Sequence, residues 1–171
     1  MNILRFLLLF IFFKFNFLIA AEPLPFNNIV LHKNPLQVSQ VKFKDFYLKD
    51  IEVNKNDGKI KVLNFWATWC DPCRAEMLSL DSFFGENPDF KVFAINLEKP
   101  NRKKTRKFFD DLNIKNLEIY FDPEFKLVKT LKLRGVPTTI LLNKQGNEFA
   151  RIIGEIDFYD KKFIRWLRQF I

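Results

Sequence analysis

The chain has 171 residues, with 28 Lys or Arg, 20 Asp or Glu and one His, for a formal charge of +8. Setting aside the first 21 residues, which carry Arg5 and Lys14, lowers this to about +6. The length supports one domain with a full hydrophobic core that needs no cross-links. The basic residues are interleaved with acids, which argues against nucleic-acid binding.

Met1 to Arg5 is a short basic region, followed by the apolar run 6–13, an interruption at Lys14 and a second apolar run to Ala21. This is the layout of a secretory signal peptide cleaved after Ala20 or Ala21, with an uncleaved membrane anchor over residues 3–21 as the alternative. Either places the rest of the chain outside the cytoplasm, periplasmic or otherwise extracytoplasmic. Residues 22–40 contain three prolines and three asparagines and read as an irregular extension or tether. The domain proper is expected over 41–171.

Within that domain, 41–48 alternates as a half-buried strand and Asn54 to Lys59 forms a turn. Ile60 to Ala67 is nearly continuously apolar, as a central strand covered on both faces would be. The period then changes: Ala75, Leu78, Leu80, Phe83 and Phe84 fit a helix from Asp71 or Pro72 to about Phe84, stopped by Gly85 and Pro88. A second strand is expected over 90–97. The helix 101–112 begins with Arg102, Lys103 and Lys104 against its own dipole and so depends on its packing. A short strand follows at 117–121, and Pro123 opens a helix whose Phe125, Val128 and Leu131 recur three apart. Residues 134–153 read as strand, tight turn and strand, a β-hairpin, and a closing amphipathic helix over 157–171 has Asp157 or Asp160 as its cap. Strands alternating with helices indicate an α/β domain with a mixed sheet.

The two cysteines fall at the strand-to-helix junction, in Trp69-Cys70-Asp71-Pro72-Cys73. As a structural bridge they would close too short a loop to constrain the unfolded chain much. As a zinc site they would need further ligands, and His32 is the sole histidine. A redox couple needs only the two sulfurs. Cys70 at a helix N-terminus is favoured as thiolate by free N–H groups and the dipole. Pro72 suits the first turn, where its missing donor is not needed. Cys70 would attack a substrate disulfide and the more shielded Cys73 would resolve the mixed disulfide. Asp71 partly offsets the dipole and favours a reducing couple. Glu76, three residues after Cys73 on the same helical face, reads either as the proton acceptor of the pair or as an ordinary solvated glutamate.

The stretch 62–76, Val-Leu-Asn-Phe-Trp-Ala-Thr-Trp-Cys-Asp-Pro-Cys-Arg-Ala-Glu, resembles the active site of thioredoxin-like proteins of the TlpA/ResA type, exported thiol-disulfide oxidoreductases related to CcmG. Gly135-Val136-Pro137-Thr138-Thr139 resembles their second signature. The resemblance implies a thioredoxin-like fold, a central mixed β-sheet flanked by helices. It also implies a cis Pro137 beside the disulfide and a Val136 backbone that pairs with substrate, with Trp69 as a further substrate-binding residue. It gives Glu76 a functional role. Asn64 stands where thioredoxin has a buried aspartate, and it cannot titrate. The insert 101–112 fits the exported branch. There are departures: Leu78 stands where many relatives have proline, and Thr138 stands where the CcmG type commonly has glutamate, which counts against strict assignment to cytochrome c maturation.

The expected function is reduction of protein disulfides in clients such as apocytochrome c, with the Cys70/Cys73 couple re-reduced by a membrane electron donor. No separate cofactor, metal ion or nucleic acid is expected. The alternatives are a disulfide-donating oxidant, a copper chaperone using the two thiolates, and a non-catalytic adaptor.

Overall fold

The structure, a computed structural model, describes residues 24–53 and 57–171. The segment 1–21, expected to direct export, and Asn54 to Asn56 of the expected turn lie outside the described residues. Among the described residues, no helix is long and apolar enough to cross a membrane.

The strands are β1 (Ile29–Leu36), β2 (Lys42–Lys44), β3 (Asp50–Glu52), β4 (Ile60–Trp66), β5 (Phe90–Asn96), β6 (Ile119–Phe121), β7 (Thr138–Leu142) and β8 (Glu148–Ile153). They form one mixed sheet in the order β1-β8-β7-β4-β5-β6-β2-β3. β4 runs parallel to β5 and antiparallel to β7, and β5 is parallel to β6. The helices are α1 (Asp71–Glu86), α2 (Arg102–Asp111), α3 (Lys126–Thr130) and α4 (Lys161–Arg168).

β4 explains why an apolar run without alternation was needed. Every one of its side chains is buried, and successive residues serve opposite faces. Ile60, Val62 and Trp66 enter the core built with α1, α2 and α4, whereas Leu63 and Phe65 enter a second core with α3. The same parity puts Asn64 on the α1 face, and this fixes its partners. The basic start of α2 is offset by Asn101, whose Oδ1 accepts from Lys104 N at 3.0 Å. Its Phe108 and Phe109 rings lie 4.7 and 5.6 Å from Trp66.

Several expectations are corrected. The stretch 22–40, expected to be irregular, contains β1, which pairs antiparallel with β8. As an edge strand it is held by backbone bonding and exposes most of its side chains, so no buried alternation marks it and Pro35 is tolerated. The folded unit therefore begins before residue 41. The strand expected over 41–48 is only Lys42–Lys44; Asp45 Oδ1 then accepts from Tyr47 N and Lys49 N, turning the chain into β3. α1 continues through Gly85 to Glu86, so the glycine is not a stop; a Cβ there would lie 2.6 Å from Asn116 Nδ2, and its absence leaves room for that side chain against the helix. α3 starts at Lys126, not Pro123. Phe125 is left-handed (φ 53°), and the Asp122 carboxylate caps the helix by accepting from Lys126 N and Leu127 N. The hairpin forms as expected, and the closing helix forms with Asp160 as its cap but is shorter than the expected 157–171, ending at Arg168.

Candidate active site

Cys70 ends the connection from β4 and is the N-cap of α1. Its carbonyl accepts from Arg74 N at 3.1 Å, and its N–H bonds to Ala67 O at 3.2 Å. The two cysteines form a disulfide with a Cα–Cα distance of 5.3 Å. Cys73 N–H donates to Cys70 Sγ at 3.2 Å, so a backbone donor of the first turn points at the first sulfur. On reduction this donor and the helix dipole stabilise a thiolate on Cys70. Cys73 is fully buried, Cys70 nearly so, and Asp71 and Pro72 are exposed in the first turn.

Trp69 is 69 % exposed and shares an apolar groove of about 270 Å³ with Leu97, Phe125, Val128, Leu133 and Val136. The Val136–Pro137 peptide bond is cis. Pro137 is buried, its carbonyl accepts from Gly154 N at 2.9 Å, and Val136 packs against the core cluster that contains both cysteines. The structure thus joins Trp69 and Val136, 67 positions apart in the sequence, on one surface at the cysteine loop.

Glu76 is buried, not solvated: it is only 3 % exposed. Its Oε1 accepts from Asn64 Nδ2 at 2.7 Å and its Oε2 from Ile156 N at 3.3 Å. Asn64 Nδ2 also donates to Thr139 Oγ1 at 3.0 Å. Burial pushes the Glu76 carboxyl up to about 8, against the two hydrogen bonds, and the charge of Glu155 adds to the rise. Glu76 therefore titrates in the range where thiols do.

A second carboxylate was not singled out by the sequence. Glu98 accepts from Thr68 N at 2.6 Å and Thr68 Oγ1 at 3.0 Å, two residues before Cys70. Asn96 Nδ2 and Lys104 Nζ complete its shell. Burial raises its carboxyl, but the bonds from Lys104, Thr68 and Asn96 outweigh that and hold it at about 2. The signal for it lay in the strand register. Trp66 pairs with Asn96, so a residue two beyond the end of β5 comes opposite the residue two beyond the end of β4. Thr139, the other omission, is visible only as one of two threonines after Pro137.

The model of the family described as AhpC/TSA matches residues 36–147, about two thirds of the sequence. The chain belongs to the AhpC/TSA family. Among curated relatives of this AhpC/TSA chain, thiol-disulfide oxidoreductase ResA of Halalkalibacterium halodurans is 31% identical over 60% of this chain and 58% of its own length. The sporulation thiol-disulfide oxidoreductase A of Bacillus subtilis is 27% identical over 67% and 70%. Thiol:disulfide interchange protein HelX of Rhodobacter capsulatus is 29% identical over 61% and 58%. The alignments with ResA and HelX therefore span less than two thirds of those proteins. Among solved structures, StoA from Bacillus subtilis matches with a TM-score of 0.63 and 26% identity, covering 78% of this chain and 99% of that one. A DsbE protein from Chlorobium tepidum matches with a TM-score of 0.68 and 19% identity, covering 79% and 95%. The fold is thioredoxin-like, and the resemblance to the ResA type holds.

Proposed function

We propose that the chain is an extracytoplasmic thiol-disulfide oxidoreductase that reduces disulfides in client proteins. The observation that carries this reading is the buried Cys70–Cys73 disulfide at the N-terminus of α1, with a carboxyl poised near 8 on the same helix. In the forward direction the Cys70 thiolate attacks one sulfur of a client disulfide, and the other client sulfur leaves as a thiolate that takes a proton from solvent. Cys73 then gives its proton to ionised Glu76 and attacks Cys70 Sγ, which releases the second client thiolate and leaves the Cys70–Cys73 disulfide. The client gains two electrons and the protein loses two. A membrane electron donor returns them.

The groove beside Trp69 and Val136 receives the client chain, Val136 offers its backbone to it, and Pro137 fixes that backbone next to the sulfurs. Asp71 and Pro72 tune the couple, Asp71 toward reduction by opposing the dipole. Apocytochrome c is one client class that fits a protein of the ResA type. The N-terminal segment supplies export, as a signal peptide or as a tether. Cys73→Ser is expected to trap clients as mixed disulfides on Cys70, detected by non-reducing electrophoresis and mass spectrometry. Trapping by Cys70→Ser instead would reverse the two roles. A midpoint potential near roughly −120 mV, typical of a strong oxidant, would overturn the reducing direction.

A further inference from the structure

Glu76 has two unlike sides. Inward, Oε1 meets the Nδ2 group of Asn64, which is fully buried and presents N–H donors. Behind Asn64 lies the buried Thr139, to whose Oγ1 the same amide donates, so this side of the carboxyl faces the interior. Outward, Oε2 meets Ile156 N, and both residues line a cavity of about 700 Å³. Its walls are Ala75, Leu78 and Ser79 of α1, the lead-in Phe26 to Asn28 before β1, and Glu155 to Asp157 between β8 and α4. Asn28 Nδ2 donates to Glu155 O at 3.1 Å and ties two of these walls together. The volume holds many waters.

We propose that this cavity is the proton port of Glu76: protons pass between its Oε2 and solvent here, while Asn64 seals the opposite side. The inference rests on Glu76 being the proton partner of the dithiol. The group that takes the Cys73 proton must be ionised when it does so. A carboxyl pushed up to about 8 has to shed a proton first at neutral pH. Exchange with water thus belongs to every turnover. The titratable groups on the elements around Glu76 are Cys70 at the N-cap and Cys73 in the first turn of α1 once their disulfide is reduced, and Glu155 and Asp157 from the connection that forms the outer wall. β4 and β7 present the neutral Asn64 and Thr139, and the lead-in presents the neutral Asn27 and Asn28. The acidic pair at the mouth attracts protons to the port and repels none.

The test follows proton release with a pH-indicator dye while the reduced full chain consumes dithiobis(nitrobenzoate), an aromatic disulfide whose two product thiolates stay ionised, in a single turnover near pH 7.5, so that the proton given up by Cys73 reaches solution. Ala75 is exposed at the cavity wall, and Ala75→Trp lays an indole over the opening. Ser82→Trp, exposed on the same helix about one turn beyond the last lining residue, Ser79, and not itself in the cavity wall, is the control. Ala75→Trp should slow proton release by about tenfold or more relative to wild type and to Ser82→Trp. In the wild-type chain, free imidazole should accelerate release, whereas imidazole carried on a large polymer should not. This second measurement decides the matter if Ala75→Trp does not fold. The port is overturned if Ala75→Trp releases protons as Ser82→Trp does, or if both imidazoles act alike. Glu76→Gln separates the two readings. If it leaves proton release and its pH dependence unchanged, the proton role of Glu76 falls; if it changes them while the port tests fail, only the port falls.

Discussion

Glu76 and Glu98 are the same residue type, both withdrawn from water close to the cysteine loop, yet burial takes Glu76 up to about 8 while Glu98 sits at about 2. The difference lies in what surrounds each. Glu98 keeps one edge in solvent and collects four donors, one of them the Lys104 ammonium. Glu76 has two neutral donors, one at the long distance of 3.3 Å, and a like charge in Glu155. A carboxylate with cationic and backbone partners becomes a fixed anchor, whereas one with desolvation uncompensated becomes a proton carrier. Glu98 thus holds the loop, and Glu76 is the group the proposed mechanism uses for proton transfer.

The contrast can be broken most strongly at Glu76. Glu76→Gln keeps the shape and removes the titration. Resolution of the mixed disulfide should slow by about a hundredfold, and a pH dependence centred near 8 should vanish from single-turnover rates measured across pH 6 to 10. The same variant tests stability. The folded carboxyl is raised above its ordinary value, so its contribution is complete below about 4.5 and is lost as pH rises through about 8. In urea denaturation of the oxidised protein, Glu76→Gln should therefore match wild type at pH 4 and exceed it at pH 9.

Removing the inward donor sharpens the contrast further. Asn64→Leu deletes the bond to Oε1 and a buried amide whose Oδ1 has no hydrogen-bond partner among the described residues. The Glu76 carboxyl should move up by about one pH unit, read from its carboxyl carbon resonance, as expected for loss of one hydrogen bond to a charged group. At the other site, Glu98→Ala leaves Thr68 N–H and its hydroxyl without their acceptor, a cost of about 1 kcal/mol given the partial exposure. The wild-type advantage here has the opposite sign with pH: a depressed folded value stabilises above about 4.5, and the gain is lost as pH falls toward about 2. Acid denaturation of the two proteins should converge there. Lys104→Ala has the smallest effect, less than about 1 kcal/mol and fading with added salt, because its ammonium is half exposed.

The active-site elements were legible where a local rule applied. The strand Ile60–Trp66 and the helix after Cys70 followed from a change of hydrophobic period and from Pro72 in the first turn. Glu76 was legible as sharing a face with Cys73, but not as buried, because burial is supplied by Ile156 and Asn64 from elements 80 and 12 residues away. β1 escaped because an edge strand has no buried face to pattern. Glu98 escaped because its partner, Thr68, is 30 residues away and reached only through the pairing of β4 with β5.

The sequence by itself determined the chemistry available: two sulfurs at a helix start, a carboxyl one turn on, and a proline signature to set beside them. These are local matters of spacing, capping and dipole, which neighbouring residues decide. The tertiary structure decided the protonation states. Desolvation and hydrogen bonding depend on what packs around a group, and for Glu76 and Glu98 those neighbours come from β4, β5, α2 and the connection before α4. Two glutamates that are alike in the chain thereby become an acid that holds its proton to about 8 and an anchor that keeps its charge to about 2.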